Sequence, residues 1–238
     1  MSMNNILLTS NTFLKKILFW VHPIQQKFNF TRYQSPKQRL RIAIEKLADN
    51  TIETNLAVID DLEQISHEYQ QYQWLTIDIL TAFVRANSPC MPQEKITSNS
   101  TGKIRIDIQL ALTVIARRNT NKDLENEQID LSHTDMRGVN LKGANLEQTN
   151  LYQVNLSGAN LRKANLAGAI LSAANLEGAD LTGANLKGAI LSAANLKGAN
   201  FSGTSLHQAN LYLASLYEAI LDGVILNGAN LREAKFSQ

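Results

Sequence analysis

Four histidines, one cysteine and twenty-one carboxylates are the groups in this 238-residue chain with the types to do chemistry. A catalytic zinc needs three convergent ligands, and a nucleophilic thiol needs a positioned base. His22, His67, His133 and His207 are scattered, and none has a partner at a metal-ligand spacing. Cys90 stands alone, so there is no disulfide framework, and a lone cysteine fits a reducing cytosol. Gly102-Lys103 lacks the P-loop spacing and the Ser or Thr that should follow. Glycines five apart in the second half mimic loose glycine motifs by arithmetic alone, as do Asn-x-Ser matches such as Asn155-Leu156-Ser157. The chain therefore reads as non-enzymatic, with no catalytic residue, no cofactor and no metal expected. What it offers instead is surface, and the elements that carry the surface are legible.

From about Ile129 to Gln238 a leucine or its stand-in returns every five residues: Leu131, Met136, Leu141, Leu146, Leu151, and on to Leu231 and Phe236. Two residues before each centre is a small apolar residue, as at Ala144, Ala159 and Ala174; between them is mostly Asn or Asp, and two after the centre is often Gly. A period of five fits neither a helix nor a flat strand and points to a solenoid. A second period is superposed. LAGAILSAANLEGADLTGAN (166–185) is followed by LKGAILSAANLKGANFSGTS (186–205), so residues twenty apart should stack on four sides. Large Leu and small Ala pointing inward fill a narrow core without voids. One buried Leu contributes roughly 1.5–3 kcal/mol against roughly 1–2 kcal/mol to fix each residue's backbone, so single coils depend on stacked neighbours.

These residues resemble the pentapeptide-repeat family. The resemblance implies a mainly β fold, a right-handed quadrilateral β-helix with one pentapeptide per side. The words before the repeats are also similar to a family feature. RLRIAIEKLADNTIETNLAVIDDLEQIS, WLTIDILTAFVRANSP and DIQLALTVIARRN resemble the helical module found ahead of the repeats in many cyanobacterial members. That resemblance brings no catalytic residues. The expected organisation is a basic amphipathic segment over 1–34, an α-helical module over 35–118, a linker over 119–128 and the β-helix over 129–238.

Helical spacing supports the module independently. Ser35-Pro36 opens a helix with Leu40, Ala43, Ile44 and Leu47 on one face. A second helix is expected from about Glu53 to Glu68 on Leu56, Ile59, Leu62 and Ile65, with Asp60-Asp61 solvated. A third runs from about Gln71 to Arg85, and the SPCMP stretch at Ser88 ends it. The fourth, near Ile104 to Arg118, is placed to plug the first coil, with Asp107 and Gln109 as capping or packing groups.

Candidate interaction residues are departures from the repeat at outward positions. On the side centred on Leu151, Leu171, Leu191 and Leu211, Ile170 and Ile190 replace the usual Asn, and Tyr152, Tyr212 and Leu213 join them in a stripe of low charge. Such a patch marks a contact surface, stacking among the isoleucines themselves, or a surface covered by the chain's own N-terminal part. In the last coil Tyr217, Ile220 and Ile225 fall at outward positions, and no capping helix follows. An open coil end leaves unpaired backbone, so either a homodimer forms through this coil or the end frays and tolerates exposure.

The net charge of +2 hides an asymmetry. Residues 1–46 carry eight basic residues against Glu45, a net +7; residues 47–128 carry seven basic and twelve acidic, a net −5; the repeats carry eight of each. Phe13, Leu14, Ile17, Leu18 and Val21 share one helical face beside Lys15 and Lys16, in a run short of the ~20 residues that span a bilayer. The segment reads as a contact for an anionic membrane surface or for a partner, or as packing on the module. A secretory signal is not indicated, and a cytoplasmic location, peripheral to a membrane, is expected. The leading function is a protein–protein interaction scaffold or adaptor with an unidentified protein partner. The alternative is a DNA mimic that modulates a DNA-binding enzyme such as gyrase. Mimicry needs a strongly negative rod, and the neutral repeats argue against it. No motif supports direct nucleic-acid binding.

Overall fold

The structure is a computed structural model that describes residues 35–48, 51–90, 104–118 and 127–236. The expectations for residues 1–34, and most of the 119–128 linker, lie outside these described residues. Among the described residues four helices precede the repeats: α1 (Pro36–Leu47), α2 (Ile52–Glu68), α3 (Gln73–Asn87) and α4 (Ile106–Ala116). A short 3-10 turn, Gln70–Tyr72, joins α2 to α3.

Helix α1 starts as its sequence asks, with Ser35 as N-cap and Pro36 in the first turn, and it buries Leu40, Ala43, Ile44 and Leu47. Helix α2 is capped by Thr51 and buries Asn55, Val58, Ile59, Leu62 and Ile65. Leu56, expected inward, is only half-buried, because α2 is rotated to turn Asn55 into the module. There the Asn55 amide donates to Asp107 at 2.8 Å. Asp60 is exposed as expected, while Asp61 accepts from the Arg39 guanidinium at 2.6 Å and ties α2 to α1. Asp107 lies fully buried near the start of α4, bonded also by Arg105 at 2.6 Å and by the Ile108 amide at 3.0 Å. A buried carboxylate is tolerable only with this many donors.

The repeats wind into a four-sided coil. Parallel bridges join residues twenty apart on every side, as Asn150↔Ile170, Asn155↔Asn175, Asn160↔Asp180 and Asn165↔Asn185. The backbone of each centre donates forward and that of its predecessor donates back: Leu151 to Ile170 at 2.8 Å, and Ile170 to Thr149 at 3.0 Å. Long strands do not form. With five residues per side, two extended residues are followed by a turn, closed by bonds such as Ala159 to the Leu156 carbonyl at 3.0 Å. Centres and the residues two before them face inward; Leu156, Leu176, Ala169 and Ala189 are at most 1% exposed, and Phe201 substitutes for Leu without losing burial.

The Asn before each centre has two tasks. Its side-chain oxygen accepts from the amide two residues on, as Asn160 from Arg162 at 3.2 Å. Its amide donates to the Asn one coil earlier, as Asn185 to Asn165 at 3.0 Å. The first bond shapes the corner and the second zips adjacent coils.

The module closes the first coil. Gln109 of α4 imitates a preceding coil: its amide nitrogen donates to the Asn140 carbonyl at 2.8 Å while its oxygen accepts from the Asn140 amide at 2.9 Å. The Asn145 amide donates to the Ala116 carbonyl at 3.1 Å, and Arg118 donates to the Asn145 carbonyl at 2.7 Å. The fourth helix is thus the expected plug, with Gln109 in a capping role. The SPCMP stretch does more than end a helix. Pro89 forms an antiparallel bridge with Thr134, the Cys90 amide donates to the His133 carbonyl, and the Asp135 amide donates to the Ser88 carbonyl.

In the last described coil Leu221, Val224, Leu226, Ala229, Leu231 and Ala234 are only partly buried, and Phe236 is 42% exposed although it occupies an inward register position.

Candidate interaction face

The backbone singles out one side of the rod. In each pentapeptide from the one centred on Leu131 to the one centred on Leu231 the residue two after the centre is in the left-handed region, where glycine is at ease and an L side chain costs roughly 1–2 kcal/mol. On the first face, centred on Leu131, Leu151, Leu171, Leu191, Leu211 and Leu231, none of these residues is Gly. They are His133, Gln153, Ala173, Ala193, Leu213 and Glu233, with φ from 52° to 60°. On the other three faces eleven of the fifteen are Gly, the exceptions being Gln148, Lys163, Gln208 and Glu218. Strain of this kind persists where something else is gained, and it clusters at functional sites. Here it adds a side chain at every coil along one corner.

The same face is the one with Ile170 and Ile190. Their backbones bridge one another, between Asn150 and Asn210 of the flanking coils. Asn150 and Asn210 accept from the amides of Tyr152 and Tyr212, both at 3.1 Å. Isoleucine cannot accept, so the two middle coils give up this corner bond for apolar surface. Ser172, Ala173, Ser192 and Ala193 lie beside the isoleucines. From 149 to 153, 169 to 173, 189 to 193 and 209 to 213 there is no charged residue. Tyr152 and Ile190 are each 38% exposed and Leu213 is 41% exposed, whereas Ile170 and Tyr212 are half-buried.

Polar groups fence this surface at both ends. Asp130 accepts from Arg85 at 2.7 Å and from the Asn150 amide group at 2.9 Å. The His133 ring meets Tyr152 edge-on at 5.3 Å between centroids. At the far end Tyr212 donates to Glu233 at 3.5 Å, and Arg232 lies 3.6 Å from the same carboxylate.

The last-coil candidates sit elsewhere. Ile220 and Ile225 are 45% and 50% exposed and Tyr217 is half-buried, on the three faces other than the first. The structure therefore does not unite the eight candidates; it divides them into a stripe of five and an end group of three. Sequence reasoning found the stripe through the isoleucines and missed the left-handed corner. The signal was present as the absence of Gly from every fourth pentapeptide.

The lone thiol is held structurally. The Cys90 thiol donates to the Thr134 carbonyl at 3.1 Å, and burial, with Asp135 nearby, raises its pKa, which keeps it protonated and weakly nucleophilic. Among the described residues no three His, Cys, Asp or Glu side chains are grouped to hold a metal ion. Among them also no helix is long and apolar enough to cross a membrane.

Comparison with known proteins agrees with this geometry. The model of the family "Pentapeptide repeats" matches in eight copies that span residues 129–238. No curated protein matches the chain. Among solved structures, a pentapeptide repeat protein (Rfr23) from the cyanobacterium Cyanothece 51142 is 34% identical, over 44% of this chain and 65% of that one, with a TM-score of 0.30. HetL, involved in heterocyst differentiation regulation in Nostoc sp. strain PCC 7120, is 31% identical over 44% of this chain and 62% of its own, with a TM-score of 0.22. QnrB1, a plasmid-mediated fluoroquinolone resistance protein, is 25% identical over 44% and 57%, with a TM-score of 0.34. The chain covers less than two thirds of each of these proteins. With its five-residue beat, its four-sided register and the match over 129–238, this part of the chain is a pentapeptide-repeat domain.

Proposed function

We propose that this protein is a non-enzymatic protein–protein interaction scaffold, and that the first face of its β-helix is the docking surface. One observation carries the reading: the face that lacks charge over four coils is also the face that keeps a side chain at every left-handed corner. An uncharged surface costs little to desolvate, and extra corner side chains widen it. The helical module supports the role by sealing the first coil, which leaves the sides of the rod as the presenting surfaces. The balanced repeats, eight basic against eight acidic, favour this over mimicry of DNA, which needs a dense array of negative charge. Residues 1–34, basic and amphipathic in sequence, would set where the scaffold acts, at an anionic membrane surface reached from the cytoplasm.

The test is affinity capture from the native host with three versions of the full chain: wild type, Ile170→Lys with Ile190→Lys, and Ile220→Lys with Ile225→Lys. Partners that depend on the first face should be lost from the first double variant and retained by the second. Identical capture by all three would overturn the assignment of the face.

A further inference from the structure

The first face alternates in bulk across its width as well as along its length. In the coils centred on Leu151, Leu171, Leu191, Leu211 and Leu231 one residue precedes the Leu and one follows it, and both point outward. The pairs are Asn150 and Tyr152, Ile170 and Ser172, Ile190 and Ser192, Asn210 and Tyr212, and Asn230 and Arg232. Every pair sets one bulky side chain against one small or polar one. The bulky member lies on one side of the Leu row in the two middle coils and on the other side in the coils around them.

We infer that this face pairs with a second copy of itself, the two rods side by side and parallel, related by a two-fold axis along the rod over the Leu row. That operation brings the residue before each centre over the residue after the same centre in the other copy. Ile170 then packs on Ser172 of the other copy, Ile190 on Ser192, and Tyr152 and Tyr212 on Asn150 and Asn210. Each ridge enters a low place, and each tyrosine hydroxyl reaches an amide that can bond it. The antiparallel arrangement sets Ile170 against Ile190, Tyr152 against Tyr212 and Ser172 against Ser192, so bulk meets bulk and the serines face a gap. Charge agrees with the parallel form. No charge is buried over the four uncharged coils, and at the far end Arg232 faces Asn230, so no like charges meet there.

This inference rests on reading the first face as a docking surface and names its occupant. Size sets the strength. Coils ~4.8 Å apart and sides of about three extended residues give a face of roughly 24 by 10 Å. That is well below the ~800 Å² per partner of a standard interface, so the dimer is weak and dissociates on dilution.

Sedimentation equilibrium of the full chain across the micromolar range is expected to show reversible monomer–dimer exchange. Ser172→Lys with Ser192→Lys places an ammonium under each isoleucine and should weaken the dimer more than about tenfold, with unchanged circular dichroism. Register is read by disulfide trapping in a Cys90→Ser background, under a mild oxidant. A chain with Ile190→Cys should trap one with Ser192→Cys in preference to one with Ile170→Cys. The inference is overturned by a monomer at every concentration, by preferential trapping of the Ile190→Cys and Ile170→Cys pair, or by a dimer that only Ile220→Lys with Ile225→Lys dissociates. A monomer whose partner capture still depends on the first face overturns self-pairing alone and leaves the docking surface standing.

Discussion

Replacing Asp107 with asparagine tests how the module holds together. Asp107 is fully buried and takes four hydrogen bonds: from Arg105 Nε at 3.1 Å, Arg105 Nη2 at 2.6 Å, Asn55 Nδ2 at 2.8 Å and the Ile108 amide at 3.0 Å. Through Asn55 it holds α2, and through Arg105, which is 3.5 Å from the Asn87 side-chain oxygen, it reaches the end of α3. Burial alone would raise the carboxyl pKa, but the hydrogen bonds from Arg105 and Asn55 outweigh it and hold the group below its ordinary 3.8. The introduced carboxamide would keep one acceptor oxygen and turn its amino group, a donor, toward donors already in place. Breaking a buried charged pair costs about 3–5 kcal/mol. The Arg105 side chain is 36% exposed and recovers part of this by turning to water, which leaves a loss of about 2–4 kcal/mol at neutral pH. A depressed carboxyl pKa stabilises the fold above its unfolded value, and that contribution disappears as pH falls through the folded value. The gap between wild type and variant should therefore be full at pH 6–7 and shrink as pH falls below about 4. Urea denaturation followed by helical circular dichroism at a series of pH values measures it. A variant as stable as wild type, or a gap that does not change with pH, would refute the reasoning.

Asp78 has the opposite sign. Burial, and then Glu127 nearby, lift its pKa to about 6, so its contribution is present below about pH 4 and lost as pH rises through 6; Asp78→Asn should flatten that part of the pH–stability curve. In the β-helix, Leu176→Asp buries an unpaired charge at a site with 0% exposure and should be severely destabilising, read as loss of the cooperative thermal transition. Lys197→Ala removes only a partly exposed ion pair with Glu218 at 3.8 Å and should shift stability by less than about 0.5 kcal/mol; equal effects at the two sites would invalidate the inward–outward assignment. Deletion of residues 1–34 should leave the melting temperature nearly unchanged and abolish binding to anionic liposomes in a flotation assay; loss of the folded state would show instead that the segment packs on the module.

The sequence by itself determined the solenoid. A five-residue beat with a twenty-residue overtone admits one stacking register, because each inward Leu must meet the Leu of the next coil, and Leu156, Leu176 and Leu196 do so at 0% exposure. It also located the apolar stripe, since Ile170 and Ile190 break a pattern that Asn otherwise fills. Tertiary structure decided the rest. Whether Asn55 or Leu56 turns inward depends on Asp107, fifty-two residues away from Asn55, and helical periodicity carries no information about such a partner. Gln109 became a substitute coil only because α4 lies across Asn140. Ser88 to Cys90, legible only as a helix stop, became an antiparallel bridge on Thr134 because the first coil offered an unpaired edge there. The corner that lacks glycine was visible in the letters, but its meaning required φ. A missing Gly is a cost only where the backbone is left-handed, and that is a property of the closed coil rather than of the residue.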